Sequence, residues 1–236
     1  MSVSPLRAVL VDIDGTLIDS NDAHTRAWVK VLARHGHEFP HAAVRPLIGE
    51  GGDKLLEDLL GADFDPGMVK ALGKERGELF LSTELHALQP TRGARVLLQK
   101  LHALGLQVVV ATAAEASESD ALLRQAGLED LIDHTANSAD AEDSKPDPGV
   151  VESALRKAGV RPSEAVMLGD TPYDIAAARR AGVPAVVLRC GGWWNDDAFA
   201  EAAAIYKDPA DLLASFDGSP LNPATRESTG ALGRQR

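Results

Sequence analysis

The stretch Val9-Leu10-Val11-Asp12-Ile13-Asp14-Gly15-Thr16-Leu17 decides the fold, because an apolar run ends there abruptly in two acids and a glycine turn. Such a run reads as a buried parallel strand that carries Asp12 and Asp14 to the rim of a sheet. In open α/β sheets that rim is where ligands bind. A second apolar run, Ala165-Val166-Met167-Leu168-Gly169, leads to Asp170 and Asp174. If the two strands are neighbours, four carboxylates crowd one crevice, and their repulsion has to be relieved by protons or by a cation. A hard divalent ion with oxygen ligands, Mg²⁺, is the expectation, and with it chemistry on phosphate.

Outward from these strands the set fills in. Leu106-Gln107-Val108-Val109-Val110-Ala111-Thr112 reads as a third strand that ends in a hydroxyl, and Ser144-Lys145-Pro146-Asp147-Pro148 sets one lysine ahead of a proline-started helix. Taken singly, each residue has a plainer role. Asp12 caps a turn, Thr112 is a β-branched strand end, and Lys145 is a solvated lysine at a helix start. A lone cap, however, has no need of Asp14 on the far side of one residue. Asp-x-Asp-Gly-Thr, then Thr, then Lys-Pro, then Gly-Asp-x-x-x-Asp, in that order and at strand ends, favours a site.

This ordered set resembles the haloacid dehalogenase-like hydrolase superfamily, in its phosphatase and β-phosphoglucomutase-like branch, and the resemblance runs from about Leu6 to about Phe216. It implies a Rossmann-like α/β core, a doubly wound parallel sheet, with an inserted α-helical cap. By the same resemblance Asp12 is the nucleophile and a metal ligand. Asp14 protonates the leaving oxygen and then activates water, its backbone carbonyl also reaching the metal. Thr112, the amide of Ala113 and Lys145 hold the phosphoryl oxygens, and Asp170 is a further metal ligand. Asp174, one helical turn later, is expected to orient a metal-bound water or Lys145 from behind. Many relatives carry Ser or Asn where this chain has Ala113, so one side-chain donor is absent.

Residues 17–88 read as helical throughout. Ala27, Trp28, Val31 and Leu32 follow an i, i+1, i+4, i+5 pattern, as do Leu55, Leu56, Leu59 and Leu60. No strand candidate interrupts them, so they match the cap, with the core in residues 1–16 and 89–216. There the spacing predicts helix 92–104, strand 106–112, helix 117–126, a weak strand near 131–137, helix 148–159, strand 164–169, helix 171–181 and strand 184–189. Residues 217–236, rich in Gly, Ser, Pro, Thr and Arg, predict a disordered tail. Within the cap, the run from Asp19 to Trp28 resembles the first cap helix of sugar-phosphate phosphatases and mutases, with His24 facing the site and Trp28 in the core. The segment from Gly49 to Lys54 resembles a substrate-choosing loop, and Lys54 or Arg45 meets the substrate's distal group unless it is a plain surface cation. His35, His37 and His41 straddle a helix end with no Cys or acid in register, which disfavours zinc. Trp193 and Trp194 follow a strand end, and either wall the entrance or pack under the loop.

A net charge of −11 over 236 residues argues against non-specific binding to nucleic acid or to an anionic membrane. Local positive charge for an anionic substrate then falls to the metal and Lys145. The single cysteine, Cys190, excludes a disulfide framework and reads as a small residue closing a strand. No charged-then-apolar leader and no run of membrane-spanning length stand out, so a cytoplasmic location is expected. The expectation is a Mg²⁺-dependent phosphomonoester hydrolase acting through an aspartyl phosphate on a small metabolite, a sugar phosphate or a phosphoglycolate-like ester. A β-phosphoglucomutase-like isomerase is the nearest rival. A dehalogenase leaves Asp14 and the metal acids without a task. A phospho-accepting signalling domain is disfavoured by the helical insertion and Asp14, and a non-catalytic binding module by the presence of every motif acid.

Overall fold

The computed structural model describes residues 4–62, 64–141 and 143–225. Six strands form one parallel sheet: β1 (Ala8–Val11), β2 (Gln107–Ala111), β3 (His134–Ala136), β4 (Ala165–Gly169), β5 (Ala185–Leu188) and β6 (Ala204–Tyr206), in the order β3-β2-β1-β4-β5-β6. The expected doubly wound parallel sheet is what the chain forms. Alternate residues of the central strands enter two separate apolar clusters. Val9, Val11, Val108, Val110, Val166 and Leu168 face one side, and Ala8, Leu10, Val109, Ala111, Ala165 and Met167 face the other. Both faces are therefore buried, which is why these strands read as continuous apolar runs.

Nine helices are placed around this sheet among the described residues. Between β1 and β2 come α1 (Asn21–Arg34), α2 (His41–Val44), α3 (Gly52–Leu60), α4 (Pro66–Thr83) and α5 (Ala94–Ala103). After β2 come α6 (Ala116–Gln125), α7 (Gly149–Ala158), α8 (Pro172–Arg180) and α9 (Pro209–Ala214). The helices α1 to α4 build a third apolar cluster of their own around Trp28, Val31, Leu32, Val44, Ile48, Leu55, Leu56 and Leu72. This cluster needs no strand, which agrees with the helical periodicity of the segment. None of the described helices is long and apolar enough to cross a membrane.

Two features depart from expectation. The edge strand β6 and helix α9 were not anticipated, because three half-buried residues and a short helix are too little for a period to show. Residues 217–225, expected to be disordered, are instead folded back on the core. Leu221 is fully buried in the cluster that holds Phe216, Leu212 and α5, and Ser219 Oγ donates to the Phe216 carbonyl at 2.8 Å. One leucine in a polar context leaves no periodic signal, so composition misreads it. The remainder of the expected tail, residues 226–236, lies outside the described residues.

Candidate active site

The chain order reverses between β1 and β4, and ligands bind at such a switch point beyond the carboxyl ends of the strands. The Asp12 N–H donates to the Leu168 carbonyl at 2.9 Å, which sets Asp12 level with the end of β4. Asp12, Asp170 and Asp174, all buried, thereby bring carboxylate oxygens within 4.8 Å of one another. Between them lies Lys145, only 1% exposed, whose Nζ donates to Asp12 Oδ1 at 2.7 Å and to Asp174 Oδ1 at 2.8 Å. Asp170 accepts from the Thr16 hydroxyl at 3.2 Å and from Asn21 Nδ2 at 2.8 Å. Gly15, at φ +71°, is required twice over: its backbone favours glycine, and a Cβ there would overlap the Asp170 carboxylate. Asp174 caps α8, its Oδ2 accepting from the amides of Asp170 and Thr171 and from the Thr171 hydroxyl at 2.8 Å.

Electrostatics follow from this crowding. Burial pushes Asp12 up to about 7, with Asp174 and Asp14 adding to the rise and Lys145 opposing it. Burial likewise raises Asp170 well above the carboxylate range, helped by Asp174 and Asp12. For Lys145, burial lowers the ammonium but the charges of Asp12 and Asp174 outweigh it, so it is held above the ordinary lysine value. Three acids against one lysine leave an excess of buried negative charge. A hard divalent cation fits that excess and the oxygen donor set. Asp174, already committed to a helix cap and to Lys145, is placed to orient its neighbours.

A cavity of about 60 Å³ opens beside Asp12 and Asp14 and is also lined by Thr112, Ala113, His24, Trp28, Glu50, Arg76 and Glu118. The Thr112 hydroxyl accepts from the Ala114 N–H at 3.1 Å, which leaves its own proton to donate into the cavity. Asp14 Oδ1 is held by the Ser20 hydroxyl and by His24 Nε2, the latter at 2.7 Å. Burial alone would raise Asp14, but His24, Ser20 and Arg76 together hold it below the usual range. Arg76 Nη1 lies 3.2 Å from His24 Nδ1, and an arginine only donates, so Nδ1 is the acceptor and the proton sits on Nε2, facing Asp14. The same Nη1 is 2.8 Å from both oxygens of Glu118 on α6. His24 stacks flat on Phe80 at 4.0 Å, and the Arg76 guanidinium lies 5.3 Å over the Trp28 ring.

The model of the haloacid dehalogenase-like hydrolases matches residues 6–182. The chain belongs to this family. Its relatives include a validoxylamine A 7'-phosphate phosphatase of Streptomyces hygroscopicus subsp. limoneus, 29% identical over 87% of this chain and 95% of that protein. A phosphoglycolate phosphatase of Rhodospirillum rubrum is 32% identical over 87% of this chain and 89% of its own length. Among solved structures, a hydrolase from Pseudomonas syringae superposes with a TM-score of 0.83 at 27% identity, over 89% of this chain and 98% of that one. Within the family the chain is thus an enzyme on the phosphatase side.

The structure of this hydrolase brings together Asp12, Asp14, Thr112, Ala113, Lys145, Asp170 and Asp174, and adds His24. Two of the three expected specificity residues do not line its cavity. Lys54 lies at the surface, 4.0 Å from Asp147, because its position on α3 faces away from the Leu55 and Leu56 side that packs inward. Arg45 is buried, held by Asp22 at 2.7 Å and by the Gly191 carbonyl, so it ties the turn after α2 to the loop after β5. Trp193 and Trp194 are not part of the cavity wall either. Trp193 is 43% exposed, and Trp194 packs edge-on to Tyr173 at 6.2 Å. Cys190 donates to the Gly15 carbonyl, and burial pushes its thiol up to about 12, so it closes the strand as a neutral group. His35 pairs with Glu75 and His41 lies near Asp22, so the three histidines do not converge.

Sequence reasoning missed Arg76, Glu118 and Glu50. An arginine inside α4 and a glutamate in the first turn of α6 each look like ordinary helix-surface charge, and only the fold sets them face to face. Glu50 did carry a signal, since it stands among Gly49, Gly51 and Gly52, where the loop before α3 comes close to Lys145. Gly51 N–H donates to the Lys145 carbonyl at 3.3 Å. Burial, with Asp58 and Asp53 nearby, pushes Glu50 up to about 8, so it carries a proton at neutral pH.

Proposed function

We propose that the chain is a Mg²⁺-dependent phosphomonoester hydrolase, working on a small phosphorylated metabolite through an aspartyl phosphate formed on Asp12. The observation that supports it most is the convergence of Asp12, Asp14 and Thr112 on one cavity while Lys145 and Asp170 stand behind Asp12. Asp12 attacks phosphorus, the ester P–O bond breaks, and the departing oxygen takes a proton from Asp14. Water then attacks the acyl phosphate as Asp14 accepts its proton, and inorganic phosphate leaves. In the free enzyme His24 and Ser20 hold Asp14 in the ionised form that the second step uses. A dianionic ester beside Asp14 raises it by like-charge repulsion, so the proton for the first step is taken up with the substrate. Thr112, through its free hydroxyl proton, and Lys145 hold phosphoryl oxygens. Mg²⁺ would be held by Asp12, Asp170 and the Asp14 carbonyl, and when bound it neutralises charge that builds on the phosphoryl group.

The two phosphatases named above act on validoxylamine A 7'-phosphate and on phosphoglycolate. Both belong to the class of small phosphorylated metabolites proposed here. The test is a panel of such esters assayed for phosphate release with Mg²⁺, with and without prior chelation. Release that depends on Mg²⁺ is expected, and full activity after exhaustive chelation would sink the metal requirement. Interconversion of sugar phosphates without phosphate release would replace hydrolysis by a β-phosphoglucomutase-like isomerisation.

A further inference from the structure

The far wall of the cavity narrows the substrate class, on the footing of the phosphatase reading above. Each cation placed near it already has a counter-charge. Arg76 is held by both oxygens of Glu118, Arg45 by Asp22, and Lys145 by Asp12 and Asp174, while Lys54 faces Asp147 outside the cavity. A second anionic group on an ester would therefore be buried with no charge to meet it, an expensive arrangement. Two polar atoms on cavity-lining residues are also buried without a hydrogen-bond partner: Glu50 Oε1, an acceptor, and Arg76 Nε, a donor. Hydroxyl groups suit both, since a hydroxyl donates and accepts. Trp28, Ile48 and Leu55 offer carbon surface on the same wall.

We infer that the leaving group of the natural ester is an uncharged, hydroxylated carbon skeleton, and that Glu118 sets this preference by neutralising Arg76, so that esters with a second anionic group are rejected. Discrimination of this kind comes from leaving the wrong partner unpaired.

The test uses the full chain with Mg²⁺ and two esters of the same two-carbon size: hydroxyethyl phosphate and phosphoglycolate. The aryl ester para-nitrophenyl phosphate is run beside them. In the wild type, kcat/KM for hydroxyethyl phosphate is expected to exceed that for phosphoglycolate by on the order of 10²-fold. In Glu118→Gln the ratio is expected to fall by about tenfold or more, because Arg76 is freed to meet the carboxylate. In Glu50→Leu it is expected to fall through loss of the hydroxyl ester alone. A ratio read within one preparation is insensitive to the folded fraction. Hydrolysis of the aryl ester with phosphoglycolate equal or preferred, or with a ratio unmoved by Glu118→Gln, overturns the inference and leaves the phosphatase reading intact. Failure to hydrolyse any of the three esters overturns that reading, and the inference with it.

Discussion

The two ends of the cavity bury charge in opposite ways. At the core end, Asp12, Asp170 and Asp174 share one lysine, so negative charge is left over; Asp12 and Asp170 stand just past strand ends, Lys145 in the segment before α7 and Asp174 in the first turn of α8. At the other end, Arg76 is matched by Glu118 and Asp14 is held by hydrogen bonds from Ser20 and from His24 Nε2, the partners being drawn from the loop after β1 and from α1, α4 and α6. An unbalanced crevice has a use for a cation and for a dianionic phosphoryl group, whatever the rest of the substrate. A balanced wall has no charge to offer and discriminates by shape and hydrogen bonds. The comparison teaches that the reaction and the choice of substrate reside in different electrostatic regimes a few ångströms apart, and each can be perturbed without the other.

The largest effect is expected from Asp12→Asn, which removes the nucleophile while keeping its shape. A loss of kcat of at least on the order of 10³-fold is expected on every ester, good or poor. Thermal stability should be kept or raised, because a carboxylate that burial pushes upward costs stability when ionised. Brief exposure to an acyl-phosphate donor should label Asp12 in the wild type, and label on another residue would move the nucleophile elsewhere.

Next in size is Lys145→Ala. Loss of one transition-state donor costs on the order of 10²–10³ in kcat. The same change leaves three buried acids without their only cation, and without metal it should destabilise the fold by about 3–5 kcal/mol in denaturant titrations. Equal stability of the variant and wild type without metal would mean that the crevice is not short of positive charge.

The excess charge also dictates how metal and pH should be linked. Asp12 sits at about 7 in the folded chain against 3.8 in the open chain, so the stability that its protonation contributes is full below about 4 and is lost as pH rises through about 7. Asp14 has the opposite sign: held low, it contributes stability above the ordinary carboxylate value that is lost only as pH falls through its depressed one. Mg²⁺ needs the ionised carboxylates, so it should restore at pH 8 what proton loss has taken away. Thermal denaturation should show little effect of Mg²⁺ at pH 5 and, at about 100 times the dissociation constant, about 2.7 kcal/mol of stabilisation at pH 8. An equal effect at both pH values would break the link between these acids and the metal.

The same contrast explains what could be read from the chain alone. The core end was legible because Asp12, Thr112 and Asp170 stand at the ends of apolar runs, with Lys145 and Asp174 marked by the motifs that hold them, and a parallel sheet brings successive strand ends to one rim by rule. Asp170 and Asp12 are far apart in sequence, yet their strands pair in register. No comparable rule brings α4 to α6, so Arg76 and Glu118 could not be matched from spacing. Lys54 and Arg45 were drawn to the substrate for want of any knowledge of their neighbours, Asp147 and Asp22. His24 was found by its likeness to a family helix, while its stacking on Phe80 and its fixed tautomer needed coordinates.

The smallest effect expected concerns the joint itself. Arg76 and Glu118 connect the helical insertion to the core, with side-chain exposures of 13% and 5%. Their coupling should therefore survive salt, unlike that of Arg26 and Glu84, where the arginine is 50% exposed. A double-mutant cycle with Arg76→Gln and Glu118→Gln, read by denaturant unfolding, is expected to give a coupling of about 1–3 kcal/mol, and the Arg26 and Glu84 cycle about 0.5 kcal/mol. Each single variant should cost more than the double variant implies, because it strands one buried charge, whereas the pair removed together leaves none. Arg76→Gln also lifts the cation from the Trp28 face and takes away the donor to His24 Nδ1, so its cost should exceed that of Glu118→Gln. Equal coupling in the two cycles would mean that the cap-side wall is ordinary surface electrostatics, and the division between a charge-hungry crevice and a charge-matched wall would fall.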